Sequence, residues 1–172
     1  MKKIKKIGLI FSLYFWKQVY FLFSSFITGN IWAKNNLGEY DKSTDIHPTV
    51  RFGTNPNNIF FKKNISVGYG THIYAGSKSK IYIGEDTMIG PFVFITTEAF
   101  SESRKEPENP HSGHIGDINI GRNVRIGAHS VLLPGVIIED GSSIGAGSVV
   151  TGTVSENSIF AGNPAKFVKY IK

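Results

Sequence analysis

The chain has 172 residues, of which 41% are hydrophobic and 19% charged, and this composition fits one globular domain rather than a disordered chain. Cysteine is absent, which excludes disulfide bonds, thiolate metal sites and a covalent acyl-cysteine intermediate. The formal net charge of +6 comes with lysines gathered near both ends and with no helix-turn-helix, zinc-finger or RNA-recognition motif, so nucleic acid is not an expected partner.

The first 44 residues form an apolar and basic segment that we expect to be helical. Its apolar stretch, residues 7–28, is interrupted by Lys17 and Gln18, whereas a bilayer-spanning helix needs about 20 mainly apolar residues. A signal peptide is disfavoured because an Ala-x-Ala cleavage site is missing. Two interpretations stay open. Residues 1–28 lie on the inner face of a membrane as an interfacial helix, or they pack against their own domain or a sister subunit.

A six-residue period runs through the second half of the chain. From Ile120 onward an aliphatic residue recurs at every sixth position, and a small or β-branched residue follows each of them four positions later. The aliphatic series is Ile120, Ile126, Leu132, Ile138, Ile144 and Val150, and the second series is Val124, Ser130, Val136, Ser142, Ser148 and Val154.

A looser form of the same period occupies the first half of the chain. It passes through Ile46, Phe52, Val67, Ile73, Ile83, Ile89 and Ile95. We expect Ile73 and Ser77 to be the two inward positions of one hexapeptide. The register slips after them, which predicts a small extra loop around residues 77–80.

This period matches neither the spacing of a helical stripe nor the alternation of a single strand. A short strand followed by a tight turn accounts for it, with two residues of each unit pointing inward. Three units make one triangular coil, and stacked coils bury a continuous apolar column that needs caps at both ends. We therefore expect an all-β solenoid over residues 45–157, preceded by the helical segment 1–44 and closed by a cap over residues 158–172.

Two motifs make the sequence resemble a known family. Hexapeptides of the form Ile-Gly-x-x-Val-x are typical of the left-handed β-helix acyltransferases. Residues 161–166, Ala-Gly-Asn-Pro-Ala-Lys, resemble the closing motif of the maltose/galactoside and polysaccharide O-acetyltransferase branch, and residues 144–151 are similar to it as well. The resemblance implies a left-handed parallel β-helix, acetyl-CoA as acyl donor, a sugar acceptor, and a homotrimer with sites between subunits.

The period stops over residues 96–119, which form an inserted loop containing His111 and His114. A loop of this length in a compact domain is usually functional or disordered. In the resembled family a loop at this place carries the catalytic histidine. The chemistry suits that residue type, because the acceptor must lose a proton as it attacks a thioester and histidine titrates near neutrality.

That family has its histidine three to five residues into the loop, where this sequence has Glu98, Ala99 and Phe100. Three interpretations stay open. His114 or His111 acts as the base from the far end of the loop, Glu98 acts as the base or orients one, or the activity is altered or lost. The other histidines are expected at structural or surface positions, and they are His47, His72 and His129.

Contacts with acetyl-CoA are expected in the C-terminal coils. The resemblance places Ala128, Gly145, Ala146 and Thr151 along a groove of small residues that the pantetheine arm can approach. It also places Lys166 near a CoA phosphate. Turn geometry alone also accounts for each of the small residues.

The resulting prediction is an acetyl-CoA-dependent acetyltransferase acting on a hydroxyl or amino group of a sugar, in surface polysaccharide biosynthesis, without a metal. The expected location is the cytoplasm or the inner face of the membrane. Two alternatives stay open. One is a non-catalytic β-helical scaffold, which the missing early-loop histidine favours. The other is a metalloenzyme resembling the γ-class carbonic anhydrases, for which no third zinc ligand beside His111 and His114 is evident.

Overall fold

A computed structural model describes residues 12–100 and 113–171, and within them short strands stack into three parallel sheets. Sheet A contains β1 (Glu39–Tyr40), β4 (Ile59–Phe61), β7 (Ile81–Ile83), β12 (Ile118–Ile120), β15 (Ile137–Ile138) and β18 (Thr153–Val154). Sheet B contains β2 (Asp45–Ile46), β5 (Ser66–Val67), β8 (Met88–Ile89), β13 (Arg125–Ile126), β16 (Ser143–Ile144), β19 (Ser158–Gly162) and β20 (Ala165–Tyr170). Sheet C contains β3 (Arg51–Phe52), β6 (His72–Tyr74), β9 (Phe94–Thr96), β14 (Val131–Leu132) and β17 (Val149–Val150).

The chain visits sheets A, B and C in turn, so three successive strands complete one coil of a parallel β-helix. Each strand pairs in parallel with the strand one coil away, as Ile120 does with Ile83 on one side and with Ile138 on the other. At the C-terminal end, β20 turns back and pairs antiparallel with β19. The predicted solenoid is therefore present, and its last strand of sheet B lies within the segment expected to be the cap.

A single column of side chains fills the inside of the coils. Every member of the two six-residue series is buried, with at most 3% of its surface exposed, as the period predicts. Full burial of an aliphatic side chain stabilises a fold by about 1.5–3 kcal/mol. The serines in this column are satisfied by backbone carbonyls, since Ser142 Oγ donates to Glu139 O at 2.7 Å and to Ser155 O at 2.8 Å. These hydroxyls join one coil to the next.

The corners between sheets A and B depend on residues that accept a positive φ. Asn64, Asp86 and Asn123 occupy the same corner of successive coils with φ of 57°, 60° and 51°. Asparagine and aspartate tolerate this region better than other side chains. A hydrogen bond also joins two of these corner residues from one coil to the next, because Asn64 Nδ2 donates to Asp86 Oδ1 at 2.6 Å.

One inward position predicted from the sequence is wrong. Ser77, expected to point inward with Ile73, is exposed, whereas Ser79 is buried. Ser79 Oγ donates to Thr97 Oγ1 of the next coil at 2.6 Å. The turn at residues 77–78 therefore lies outside the column, and a hydrogen bond between coils selects Ser79 instead.

A helical segment covers the N-terminal end of the column. Helix α1 (Leu13–Phe26) continues through a π-helical turn (Ile27–Trp32) into a short helical turn (Ala33–Asn35). Ala33 is 1% exposed against the first coil, and the buried Asn30 side chain donates to Val50 O at 2.7 Å. Helix α1 itself contains no buried residue. Among the described residues, no helix has both the length and the apolar character needed to cross a bilayer.

Candidate functional site

The inserted segment leaves the β-helix at the corner between sheets C and A, and its described ends form an antiparallel hairpin. Strand β10 (Glu98–Phe100) pairs with β11 (Gly113–Ile115) in the register Glu98 with Ile115 and Ala99 with His114. The loop predicted over residues 96–119 is thus paired at its base. Its tip, residues 101–112, lies outside the described residues, and His111 lies there with it.

The register of this hairpin separates two of the candidate bases. Side chains alternate between the two faces of a strand, and directly paired residues share a face. Glu98 and Ile115 therefore lie on one face of the hairpin, and Ala99 and His114 lie on the other. Both Glu98 and His114 are exposed. Within one chain they therefore face different surroundings.

Thr97 fixes the base of the hairpin. Its side chain is fully buried, and its Oγ1 accepts hydrogen bonds from Ser79 Oγ at 2.6 Å and from Gly76 N at 2.8 Å. Its carbonyl accepts from Gly116 N at 3.1 Å, which ties the returning strand to the outgoing one. Thr97 holds the backbone of Glu98 in place, and the sequence pattern did not single it out.

Glu98 borders a small pocket on the outer surface. The pocket has a volume of about 230 Å³, and its lining includes Asn55, Tyr74, Gly76, Thr96 and Glu98. The Glu98 carboxylate lies directly over Gly76, where a Cβ would overlap it. A carboxylate beside a pocket of this kind can accept a hydrogen bond or a proton from a bound hydroxyl.

Most of the residues expected to contact CoA gather at a different corner, between sheets B and C. Ala128 and Ala146 lie there in successive coils, and Gly147 N donates to Ala128 O at 2.8 Å. A Cβ on Gly145 would lie only 2.8 Å from Cβ of Ala161, so glycine is needed for this close stacking. The corner therefore presents small residues and backbone to the outside.

Lys166 reaches the same edge through the C-terminal hairpin. Strand β20 pairs with β19 so that Lys166 lies opposite Ala161, the residue that stacks on Gly145. The exposed Thr151 lies elsewhere, just after β17 at the corner between sheets C and A. The structure thus brings four of the five expected cofactor residues together and places Thr151 along the corner that also carries the hairpin.

The remaining histidines lie on the outside of the coils, next to aromatic rings. His129, at φ 60°, stacks on Phe92 with 5.0 Å between ring centroids, and His47 lies 5.2 Å from the Tyr69 ring. Partial burial, followed by the Arg51 guanidinium, lowers the pKa of His72. In the described part of the chain, no three histidine, cysteine, aspartate or glutamate side chains cluster closely enough to hold a metal ion.

Comparison with known proteins identifies the repeat. The family described as bacterial transferase hexapeptide (six repeats) matches residues 117–152. A protein of Escherichia coli K12 named as a lipopolysaccharide biosynthesis O-acetyl transferase, WbbJ, is 37% identical over 119 residues, which are 64% of this chain and 60% of that protein. The chain spans 60% or less of the length of the first curated relatives it matches.

Solved structures agree with the fold. A maltose O-acetyltransferase from Clostridium difficile 630 superimposes with a TM-score of 0.73 at 28% identity, over 81% of this chain and 73% of that one. A galactoside acetyltransferase in complex with coenzyme A gives a TM-score of 0.63 at 26% identity, over 81% of this chain and 68% of that one. These similarities confirm the predicted left-handed parallel β-helix and the predicted hexapeptide repeat.

Proposed function

We propose that this hexapeptide-repeat protein is an acetyl-CoA-dependent acetyltransferase whose acceptor is a hydroxyl or amino group of a sugar. The observation that carries the proposal is the arrangement of two edges on one β-helix. One edge holds the hairpin and the Glu98 pocket, and the other presents small residues beside Lys166. The same fold binds coenzyme A in the galactoside acetyltransferase structure.

The reaction requires one proton acceptor and one site for a developing negative charge. The acceptor oxygen or nitrogen attacks the thioester carbonyl carbon, the carbon–sulfur bond breaks, and the CoA thiolate leaves. Glu98 or His114 takes the proton of the attacking group, and His111 stays a third candidate outside the described residues. Backbone N–H groups at the coil corners supply hydrogen bonds to the oxyanion.

We propose that the protein is a homotrimer, and the separation of the two edges supports this. The hairpin leaves the corner between sheets C and A, whereas Ala128, Gly145 and Ala146 lie at the corner between sheets B and C. The whole width of sheet C lies between them on one chain. A donor held at the corner between sheets B and C of one copy can therefore meet the proton acceptor at the corner between sheets C and A of a neighbouring copy. Three copies close such a ring.

We also place the protein in the cytoplasm, with residues 1–28 in peripheral contact with the inner face of the membrane. Residues 1–38 contain six lysines and no aspartate or glutamate. The remaining thirteen basic residues balance the thirteen acidic residues, so the whole formal net charge of +6 belongs to this segment. Each lysine near an anionic membrane surface contributes about 1 kcal/mol of attraction.

The orientation of helix α1 supports contact with lipid over packing on its own domain. Near its C-terminal end Ser25 faces the β-helix, since its Oγ accepts from Arg51 Nη1 at 3.0 Å, whereas Lys17 and Gln18 are exposed. Its aromatic and aliphatic residues face outward, and Tyr20, Phe21 and Leu22 are 73%, 66% and 63% exposed. Aromatic rings beside lysines are typical of helices that lie in the headgroup region. A location at the membrane suits a role in surface polysaccharide biosynthesis.

The function is tested by separating donor binding from turnover. We would measure acetyl-CoA binding by calorimetry and CoA release with a panel of sugars, for the wild-type protein and for Glu98→Gln, His114→Ala and His111→Ala. We expect all four proteins to bind acetyl-CoA alike and one variant to lose turnover by about 10²–10⁴-fold. Glu85→Gln, which removes a half-buried carboxylate paired with Lys63 at a distant corner, is the matched control.

Absence of acetyl-CoA binding by the wild-type protein would overturn the proposed function. Binding without release for any sugar would support a scaffold that has lost its base. Turnover that survives in all three variants would show that the proton goes to a residue outside this set.

A further inference from the structure

A second groove lies between the N-terminal helical segment and sheet C. It has a volume of about 530 Å³, and its walls are formed by Thr28, Gly29, Trp32, Phe52, Gly53, Thr54 and Tyr74. Three of these residues are aromatic, namely Trp32, Phe52 and Tyr74, and Phe52 is only 4% exposed. Volumes of 300–1,000 Å³ are typical of sites that bind small molecules.

This groove adjoins the pocket that contains Glu98. Gly53, Thr54 and Tyr74 line both spaces. Of the two adjoining spaces, the one at the helical end is lined by Trp32 and the other by Glu98. A ligand that fills both spaces would need an apolar part and a polar part in that order.

The charge of the groove narrows the class of ligand. None of the seven residues that line it is acidic or basic. A phosphate or diphosphate buried there would meet no cation among these seven residues, and burying an anion without a cation is unfavourable. The groove therefore fits neither the nucleotide of a sugar nucleotide nor the phosphates of CoA. Its walls match hydrocarbon.

The position of the groove indicates where the hydrocarbon comes from. Trp32, 52% exposed, ends the π-helical turn that continues helix α1, so the groove opens at the foot of the helix whose apolar face is unpartnered among the described residues. An apolar chain that leaves the groove on this side would reach the membrane surface proposed for helix α1.

We propose that the groove binds the apolar portion of a membrane-borne glycolipid, so that its sugar enters the Glu98 pocket and becomes the acceptor. The inference rests on the proposed function and specifies its acceptor as a lipid-linked sugar. According to this inference, Trp32 and Gly29 bind the apolar part of the acceptor at a distance from the reacting atoms.

Tryptophan fluorescence can test this directly, because Trp16 and Trp32 are the two tryptophans of the chain. In a Trp16→Phe background, Trp32 alone reports on the groove. The probe is n-octyl β-D-glucopyranoside below its micellar concentration, and methyl β-D-glucopyranoside is the soluble counterpart. We expect saturable binding of the octyl glycoside with a blue shift of Trp32 emission, and no response to the methyl glycoside.

Gly29→Leu provides the decisive variant. Gly29 lines the groove and a Cβ there meets no atom within 4 Å, so the position has room for a larger side chain. We expect at least a tenfold weaker response to the octyl glycoside. Gln18→Leu adds the same side chain at an exposed position of helix α1 away from the groove, and it should leave the response unchanged.

An unchanged response in Gly29→Leu would overturn the proposal, because the glycoside would then be associating with the exposed helix. A Trp32 emission spectrum that does not change when the octyl glycoside is added would also overturn the proposal. Acetyl-CoA calorimetry on the same proteins keeps the two proposals apart. Donor binding without glycoside binding removes the groove inference alone, and glycoside binding without donor binding removes the proposed function.

Discussion

Asp140 shows how a single side chain fastens one coil to the next. Its Oδ1 accepts a hydrogen bond from the backbone N of Arg122 at 2.7 Å, and its Oδ2 accepts from Arg122 Nε at 2.9 Å and Nη2 at 2.7 Å. The backbone hydrogen bond, and then the guanidinium bonds, lower the pKa of Asp140. Because the Arg122 side chain is 66% exposed and that of Asp140 is 38% exposed, solvent screens this pair and its contribution to stability is small.

We expect Asp140→Asn to make the folding stability depend less on pH. The folded pKa of Asp140 lies below the unfolded value of about 4, so its carboxylate stabilises the folded state above pH 4. That contribution is lost as the pH falls through the lower folded pKa. Melting temperatures of wild type and variant should therefore differ at neutral pH and converge under strongly acidic conditions.

A difference in melting temperature that stays constant down to about pH 2 would contradict this assignment. Arg122→Gln is the informative comparison, because it removes the guanidinium bonds and keeps the backbone N–H donor. We expect its loss of stability at neutral pH to be smaller than that of Asp140→Asn.

Strand β15 contains one inward-facing and one outward-facing isoleucine at adjacent positions. Ile138 is 1% exposed inside the column, and Ile137 is 42% exposed on the outer surface of sheet A. We expect Ile138→Ala to lower the free energy of unfolding by about 2–5 kcal/mol, as the loss of a buried side chain usually does. Ile137→Ala removes the same atoms from the outer surface and should cost less than about 1 kcal/mol.

Chemical denaturation of the two variants, compared at equal oligomeric state, measures this difference. Equal losses would show that the outer surface of sheet A is buried against another copy. The coils make contacts only with their neighbours, so a loss at Ile138 acts mainly on the coils beside it.

The inward positions could be predicted from the sequence because they follow from local geometry. A two-residue strand and a tight corner repeat every six residues, and each repeat carries its own turn residue. The prediction was wrong at Ser77, because the register after an extra turn depends on a hydrogen bond from Ser79 to Thr97 in the next coil. A six-residue pattern contains no information about that contact.

The candidate site was predictable only in part, for the same reason. The break in the period drew attention to Glu98 and His114, but their opposite faces follow from pairing across a tip of twelve residues. The aromatic groove was not predicted at all. Trp32, Phe52 and Tyr74 come from the helical segment and from two different coils, and only the fold brings them together.

At the scale of the whole molecule, the concentration of positive charge near one end predicts selective binding to anionic membranes. We expect the protein to sediment with vesicles that contain about 30% phosphatidylglycerol, and to bind pure phosphatidylcholine far more weakly. High salt should weaken the binding, because screening reduces the contribution of each lysine. Binding to these vesicles should also shift the tryptophan emission to the blue. The double variant Phe21→Ser/Leu22→Ser removes two outward side chains and should abolish this shift.

Phe167→Ser is the matched control, because Phe167 is 48% exposed on the C-terminal hairpin at the other end of the β-helix. It should leave vesicle binding unchanged. Two results together would show that helix α1 packs against a sister subunit instead. The wild-type protein would not bind anionic vesicles, and the oligomers of the Phe21→Ser/Leu22→Ser variant would dissociate.

The direction in which the coils stack has a consequence for the two proposed substrates. Neighbouring strands in a sheet are about 4.8 Å apart, so the sixth coil, which carries Lys166 through β20, stands about 24 Å above the first coil. At physiological salt the potential of an anionic surface decays over about 8 Å. If helix α1 lies on the lipid and the coils stack away from it, the proposed acceptor site is near the membrane surface and the proposed acetyl-CoA site lies where the surface potential has decayed.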